Sequence, residues 1–259
     1  SVNKLTRKEL ISYYRGLATP DNLVLTVVGD VKTSHVVRKV QEIFGHPNEN
    51  KASLIDPPTP SPPEAPLQKV ISRDKKQAHI AYGFLGTTLK NPDRYPLAIL
   101  NSVLSGQGGR LFLELRDRQS LAYAVSSFHF EGMEPGALGV YIATSPDKVE
   151  TALLGIQREL DKICSTLISK EELERAKKYV IGGYEIALQR NASQAADMGF
   201  NERYGIGWDE FQKFPERISS VTRKDVLRVA QKYIRTNAPV ISMIAPESTD
   251  PFKQGKGSN

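Results

Sequence analysis

Within GRLFLELRDRQSLAYAVSS, residues 109–127, Arg116 and Tyr123 stand seven positions apart. A guanidinium and a phenol both donate hydrogen bonds to carbonyl oxygens. Held side by side, they could grip an extended peptide and stabilise a developing oxyanion. By residue type alone, the plainer reading stands ahead: a surface arginine and a packing tyrosine. The other chemistry-bearing residues are sparser. Among the four histidines, His35, His46, His79 and His129, no two stand at helical metal-ligand spacing. Both H-E-x-x-H and H-x-x-E-H are absent, so no zinc site is expected in this chain. His79 and His129 fall in strand-like segments and could meet across a sheet, but a lone strand histidine is more often structural. Cys164 is the single cysteine, which excludes an intrachain disulfide, and its helical setting reads as buried packing. Ser102 and Ser105 lack a G-x-S-x-G context. The glycines of GQGG, residues 106–109, precede a helix and could cradle an anion. They match neither a P-loop nor a dinucleotide fingerprint, and a flexible turn explains them better.

Several elements must position the Arg116–Tyr123 corner. Residues 76–86 read as a strand, 94–105 as a helix and 109–118 as a second short helix. Residues 122–130 and 137–145 read as strands joined by EGMEPG, a hairpin. Ser145-Pro146 marks a helix start, and Val149, Leu153, Ile156, Leu160 and Ile163 keep helical spacing after it. Ser169 and Glu172 form a capping box opening a long helix to about residue 190, and residues 193–205 continue helical. VISMIAP closes the series as a strand. The order is β-α-α-β-β-α-α-α-α-β. Hairpin-linked strands with clustered helices indicate an α+β fold: a mostly antiparallel sheet with helices packed on one face.

The chain has 259 residues and 39% apolar content, enough for a large core. Its longest apolar runs are too short to span a bilayer, so no membrane segment is expected. The net charge of +6 raises nucleic acid as a partner. The basic residues are interleaved with acids, as in SKEELERAKK at 169–178, and no basic run carries stacking aromatics. No nucleic-acid partner is expected. Residues 51–66 hold six of the sixteen prolines and read as an extended linker. The ends of the chain resemble each other: LTRKELISYYRGLATPDNLVLTVVGD at 5–30 and VTRKDVLRVAQKYIRTNAPVISMIAP at 221–246. Each opens on Thr-Arg-Lys-acid, a helix cap, and ends on an apolar strand. A duplication is indicated. Residues 1–50 are then the tail of a preceding homologous module (helix–strand–helix), 67–247 a complete module and 248–259 a disordered tail. Residues 1–50 either fold back onto the domain or pair with another copy, and the orphaned strand at 23–29 invites the latter, a homodimer. Any targeting signal would lie upstream of Ser1, leaving periplasm and cytoplasm open for a soluble chain.

GRLFLELRDRQSLAYAV resembles the R-L-F-x-x-[LV]-R-[DE]-x-x-x-L-[AS]-Y-x-[VA] signature of the pitrilysin-like zinc metallopeptidases, which include the mitochondrial processing peptidases and insulin-degrading enzyme. TPDNLVLTVVGD, within 5–30, is similar to the strand that closes a domain in that family. The resemblance implies the mitochondrial-processing-peptidase-like fold, built in homologous pairs. One member of each pair carries H-x-x-E-H, zinc and the catalytic base. The other carries an arginine and a tyrosine seven residues on, which bind substrate backbone near the scissile bond. Carried over, these are Arg116 and Tyr123. The resemblance implies the non-zinc, C-terminal part of a zinc metalloendopeptidase, inactive alone, with zinc on a partner module or subunit and peptide or unfolded polypeptide as substrate. The alternative is a non-catalytic scaffold or assembly subunit of the same fold.

Overall fold

The structure is a computed structural model and describes residues 2–45, 58–246, 249 and 251. The readings for His46, for residues 51–57 of the linker and for all of the tail but residues 249 and 251 lie outside the described residues. The chain divides into two compact units, Ser1–Pro58 with Tyr184–Lys213, and Thr59–Gly183 with Phe214–Asn259. In chain order the elements are α1 (Arg7–Leu17), α2 (Thr33–Phe44), β1 (Leu67–Ser72), β2 (Ala78–Leu85), α3 (Arg94–Leu104), β3 (Ala124–Phe130), β4 (Ala137–Thr144), α4 (Val149–Ser165), α5 (Lys170–Ala187), α6 (Asn191–Arg203), α7 (Glu210–Ser220), α8 (Arg223–Ala230) and β5 (Val240–Ala245).

In the larger unit, period-two alternation builds the sheet. Along β5 every second residue is buried, from Ile241 through Met243 to Ala245. The five strands run in the order β1-β5-β2-β4-β3. Every pairing is antiparallel except that of β1 with β5. The face holding Ile80, Ile142 and Met243 is covered by α3, α4 and α8, through residues such as Leu97, Ile156 and Val229. Each such side chain contributes about 1.5–3 kcal/mol by leaving water. The mixed α/β architecture with helices on a mostly antiparallel sheet is the one expected.

Some elements depart from the sequence reading. β1 was not expected: LQKVIS follows the prolines, and its partner β5 lies more than 170 residues on. Only a nonlocal parallel pairing makes it a strand. α7 was also unexpected, because Pro215 sits inside it and reads as a breaker. Pro146 opens a short 3₁₀ turn before α4, and Ser145 makes no side-chain cap bond there. The helix after Gly109 widens to π-helical geometry over Phe112–Arg118.

In the smaller unit, the Thr6–Glu9 capping box opens α1, just as Thr222–Asp225 opens α8 in the larger unit. Residues 23–29, expected as a strand, form none and pair with no strand among the described residues, although they alternate in burial. Val24, Thr26 and Val28 are half-buried, and the Thr26 hydroxyl donates to the Ala195 carbonyl of α6 at 2.7 Å. On the other face, Leu23, Leu25 and Val27 are exposed. With Tyr14, Val40 and Phe44, the first two line an apolar groove of about 480 Å³. Neither α1 nor α2 buries a residue.

Candidate functional site

The corner begins at Gly109. A Cβ there would lie 2.1 Å from the Ser105 carbonyl oxygen, so only glycine permits the turn from α3. Arg110 then fixes the start of the next helix. Its guanidinium forms two bonds to the Glu172 carboxylate, at 2.7 and 2.8 Å. Glu172 also accepts from the Ser169 N–H, completing the expected capping box of α5. The Arg110 hydrogen bond is the main cause holding the Glu172 carboxyl below its usual range. Leu111 and Leu115 are fully buried. The helix therefore turns Arg116 outward.

Arg116 is exposed, and its guanidinium lies 5.1 Å from the Phe112 ring centre, a cation–π contact. It forms no ion pair among the described residues. Glu114 instead pairs with Arg118. The chain then closes: the Leu121 N–H donates to the Leu115 carbonyl, six residues back, at 2.8 Å. Tyr123 follows. Its N–H donates to Ala143 of β4 at 2.9 Å, while its side chain is 61% exposed and its phenol makes no hydrogen bond among the described residues. The structure thus puts a free guanidinium and a free phenol at the two ends of one tightly closed corner, with no direct bond between them. β3, which Tyr123 leads into, is an edge strand. Midway along it, the Ser127 N–H already meets the Ser105 hydroxyl at 3.4 Å, and the Ser127 hydroxyl donates to Asn101.

His79 and His129 do not assemble. His79 stands opposite Ala143 and His129 opposite Leu138 on β4, five residues apart, so they lie on opposite faces of the sheet. This corrects the expectation that they could meet. The His79 ring shares a 2.7 Å hydrogen bond with the Tyr141 hydroxyl. His129 Nδ1 lies 3.8 Å from Glu131, which pairs with Arg94 at 3.0 Å. Cys164 is buried against the Ala230 carbonyl, and burial pushes its thiol up to about 11, the inert end of cysteine chemistry. No group of three His, Cys, Asp or Glu suited to a metal ion exists among the described residues. The donor set does not fit zinc. The residues the sequence reading missed are the supports: Arg110 with Glu172, Ser120 in left-handed conformation, and Lys148. Arg110 and Glu172 carry a signal only as a charge pair 62 residues apart, and Ser120 carries none.

Residues 4–180 match the family model for the peptidase M16 inactive domain. An uncharacterized zinc protease of Streptomyces coelicolor is 30% identical over 259 aligned residues, covering 95% of this chain and 55% of that protein. One from Bacillus subtilis is 30% identical over 196 residues, covering 74% of this chain and 46% of that protein. The chain thus spans about half the length of these relatives. Among solved structures, a peptidase M16 inactive domain from Pseudomonas fluorescens superposes with a TM-score of 0.80 at 20% identity, over 95% of this chain and 59% of that one. A protease from Helicobacter pylori gives 0.80 at 21%, over 95% and 60%. At such identities these two likenesses speak for the fold alone.

Proposed function

Because the chain belongs to the peptidase M16 family, as its inactive domain, we propose that it is the substrate-binding part of a zinc metalloendopeptidase. Zinc and the catalytic base then lie on a homologous partner module, joined to it or separate. Arg116 and Tyr123 bind the backbone of an extended peptide beside the scissile bond, and the Tyr123 phenol donates to the carbonyl oxygen as charge develops on it. The observation that carries this reading is the exposed guanidinium and phenol, both without polar partners among the described residues, at the two ends of a corner whose backbone is closed by the Leu121–Leu115 and Tyr123–Ala143 hydrogen bonds. The zinc-protease names of the relatives support it as well.

Residues 1–50 are, on this reading, the tail of the partner module, and the groove beside Leu23 and Leu25 is where the rest of that module seats. The unpaired 23–29 segment supports this, because its duplicate, residues 239–245, contains β5, an interior strand of the sheet.

The test is reconstitution. The chain is combined with a zinc-bearing M16 module from the same genome, and cleavage of an unstructured peptide is followed. The chain alone should be inactive. Tyr123→Phe should slow turnover by about tenfold to a thousandfold, the range for one lost oxyanion donor. Arg116→Ala should weaken peptide binding. If both variants turn over at the wild-type rate, the chain is a scaffold or assembly subunit.

A further inference from the structure

The end of the six-residue stretch between Arg116 and Tyr123 is held unusually tightly for an exposed connector. Ser120 has φ of +51° and is the one non-glycine residue with positive φ among the described residues. A serine rarely adopts this conformation, and it persists only where its surroundings enforce it. The enforcing contacts are visible. The Lys148 ammonium donates to the Ser120 carbonyl at 3.0 Å. The fully buried Thr144 hydroxyl donates to the Leu121 carbonyl at 2.5 Å. The Ser120 N–H reaches back to the Arg116 carbonyl at 3.2 Å. Beneath them, α4 approaches so closely at Gly155 that a Cβ there would lie 2.6 Å from Leu115 and 3.6 Å from Leu121. The connector is thus clamped at the Ser120 and Leu121 carbonyls from the end of β4 and the turn after it.

We infer that Ser120 and Lys148 are positioning residues, which fix Arg116 relative to Tyr123 by holding the connector in its left-handed turn. Neither touches the substrate. The role rests on the reading of Arg116 and Tyr123 as substrate groups. Strain at Ser120 is then retained because relaxing it would let the guanidinium and the phenol drift apart. Misplacement of such groups by an ångström is costly to turnover.

Three variants are made: Ser120→Gly, Lys148→Met and Ser120→Asn. Glycine relieves the strain and loosens the connector, whereas asparagine tolerates the left-handed region and keeps it stiff. In the reconstituted enzyme, Ser120→Gly and Lys148→Met should lower kcat about three- to tenfold with little change in KM. The unfolding midpoint of Ser120→Gly should stay level or rise. Ser120→Asn should retain the wild-type rate. A purely structural role predicts the opposite coupling, with rate and stability moving together. In the chain alone, labelled with 3-fluorotyrosine, the Tyr123 resonance, assigned with Tyr123→Phe, should shift in Ser120→Gly and Lys148→Met. An unmoved resonance, or a kcat that holds or falls only with stability, overturns the positioning role. If Tyr123→Phe slows the enzyme and Ser120→Gly does not, the positioning role alone fails. If Tyr123→Phe has no effect, the substrate reading fails and the positioning role falls with it.

Discussion

Burial drives the His129 imidazole from its ordinary value of 6.5 down to about 4, and the Arg94 charge adds to the effect. Below pH 6.5 the unfolded chain therefore takes up a proton that the folded chain refuses. Stability from this group is full above pH 6.5 and is lost as pH falls toward 4. Urea unfolding at pH 7 and pH 5 should show a loss of about 2 kcal/mol from this residue. His129→Phe should remove that share of the difference. An equal loss in the variant would mean that other groups carry the acid sensitivity. His129 illustrates what residue types leave unsaid. Its strand position was legible in the alternation of AYAVSSFHF, but its neighbours Glu131 and Arg94 come together only through the hairpin and the start of α3.

Helix ends decide much at the next scale. Asp93 stands where a cap of α3 would, yet makes no cap bond. Its carboxylate accepts from Lys232 at 2.7 Å and Tyr233 at 2.9 Å, and pairs with Arg228 at 2.8 Å. Burial alone would raise its pKa; the bonds from Lys232, Arg228 and Tyr233 outweigh burial and hold it below the usual range. This cluster ties the start of α3 to the end of α8. Asp93→Asn should cost about 1–3 kcal/mol, since both cations are half-exposed and recover water when released. The penalty should begin to fade as pH falls below the usual aspartate value, where the unfolded chain's carboxylate protonates, and is lost once the folded carboxylate protonates at still lower pH. Thermal melts at pH 7 and pH 3 would check both halves of the expectation. Thr222→Ala removes a cap whose loss should cost about 1 kcal/mol. The capping boxes at Thr6, Ser169 and Thr222 were legible because a cap is a local event within four residues. The Asp93 cluster was not, because its partners lie about 140 residues away.

At the scale of the molecule, the smaller unit holds an apolar segment, residues 23–29, paired with no strand among the described residues. No ladder bond protects the amides of residues 24–28 among the described residues. In the chain alone these amides should exchange rapidly with solvent. Adding the partner module should slow them, as the segment gains the neighbours that residues 240–245 have in the larger unit. Exchange that stays fast in an active reconstituted enzyme would show that the segment does not join the partner's sheet. Protection in the chain alone at high concentration would instead point to pairing between two copies. No described helix is long and apolar enough to cross a membrane.

By itself, the sequence determined the local grammar: the caps, the hairpin, the alternating strands, the lack of a metal-binding histidine motif and the outward turn of Arg116. Each depends on a few neighbouring residues or on a simple period. The tertiary structure decided the rest. It put His79 and His129 on opposite faces, made a strand of residues 67–72 and clamped Ser120 in a left-handed turn. Those outcomes are set by groups distant in sequence, and a serine has no intrinsic reason to turn left-handed. Packing between Leu115, Leu121 and Gly155, with the hydrogen bonds from Thr144 and Lys148, supplies the reason.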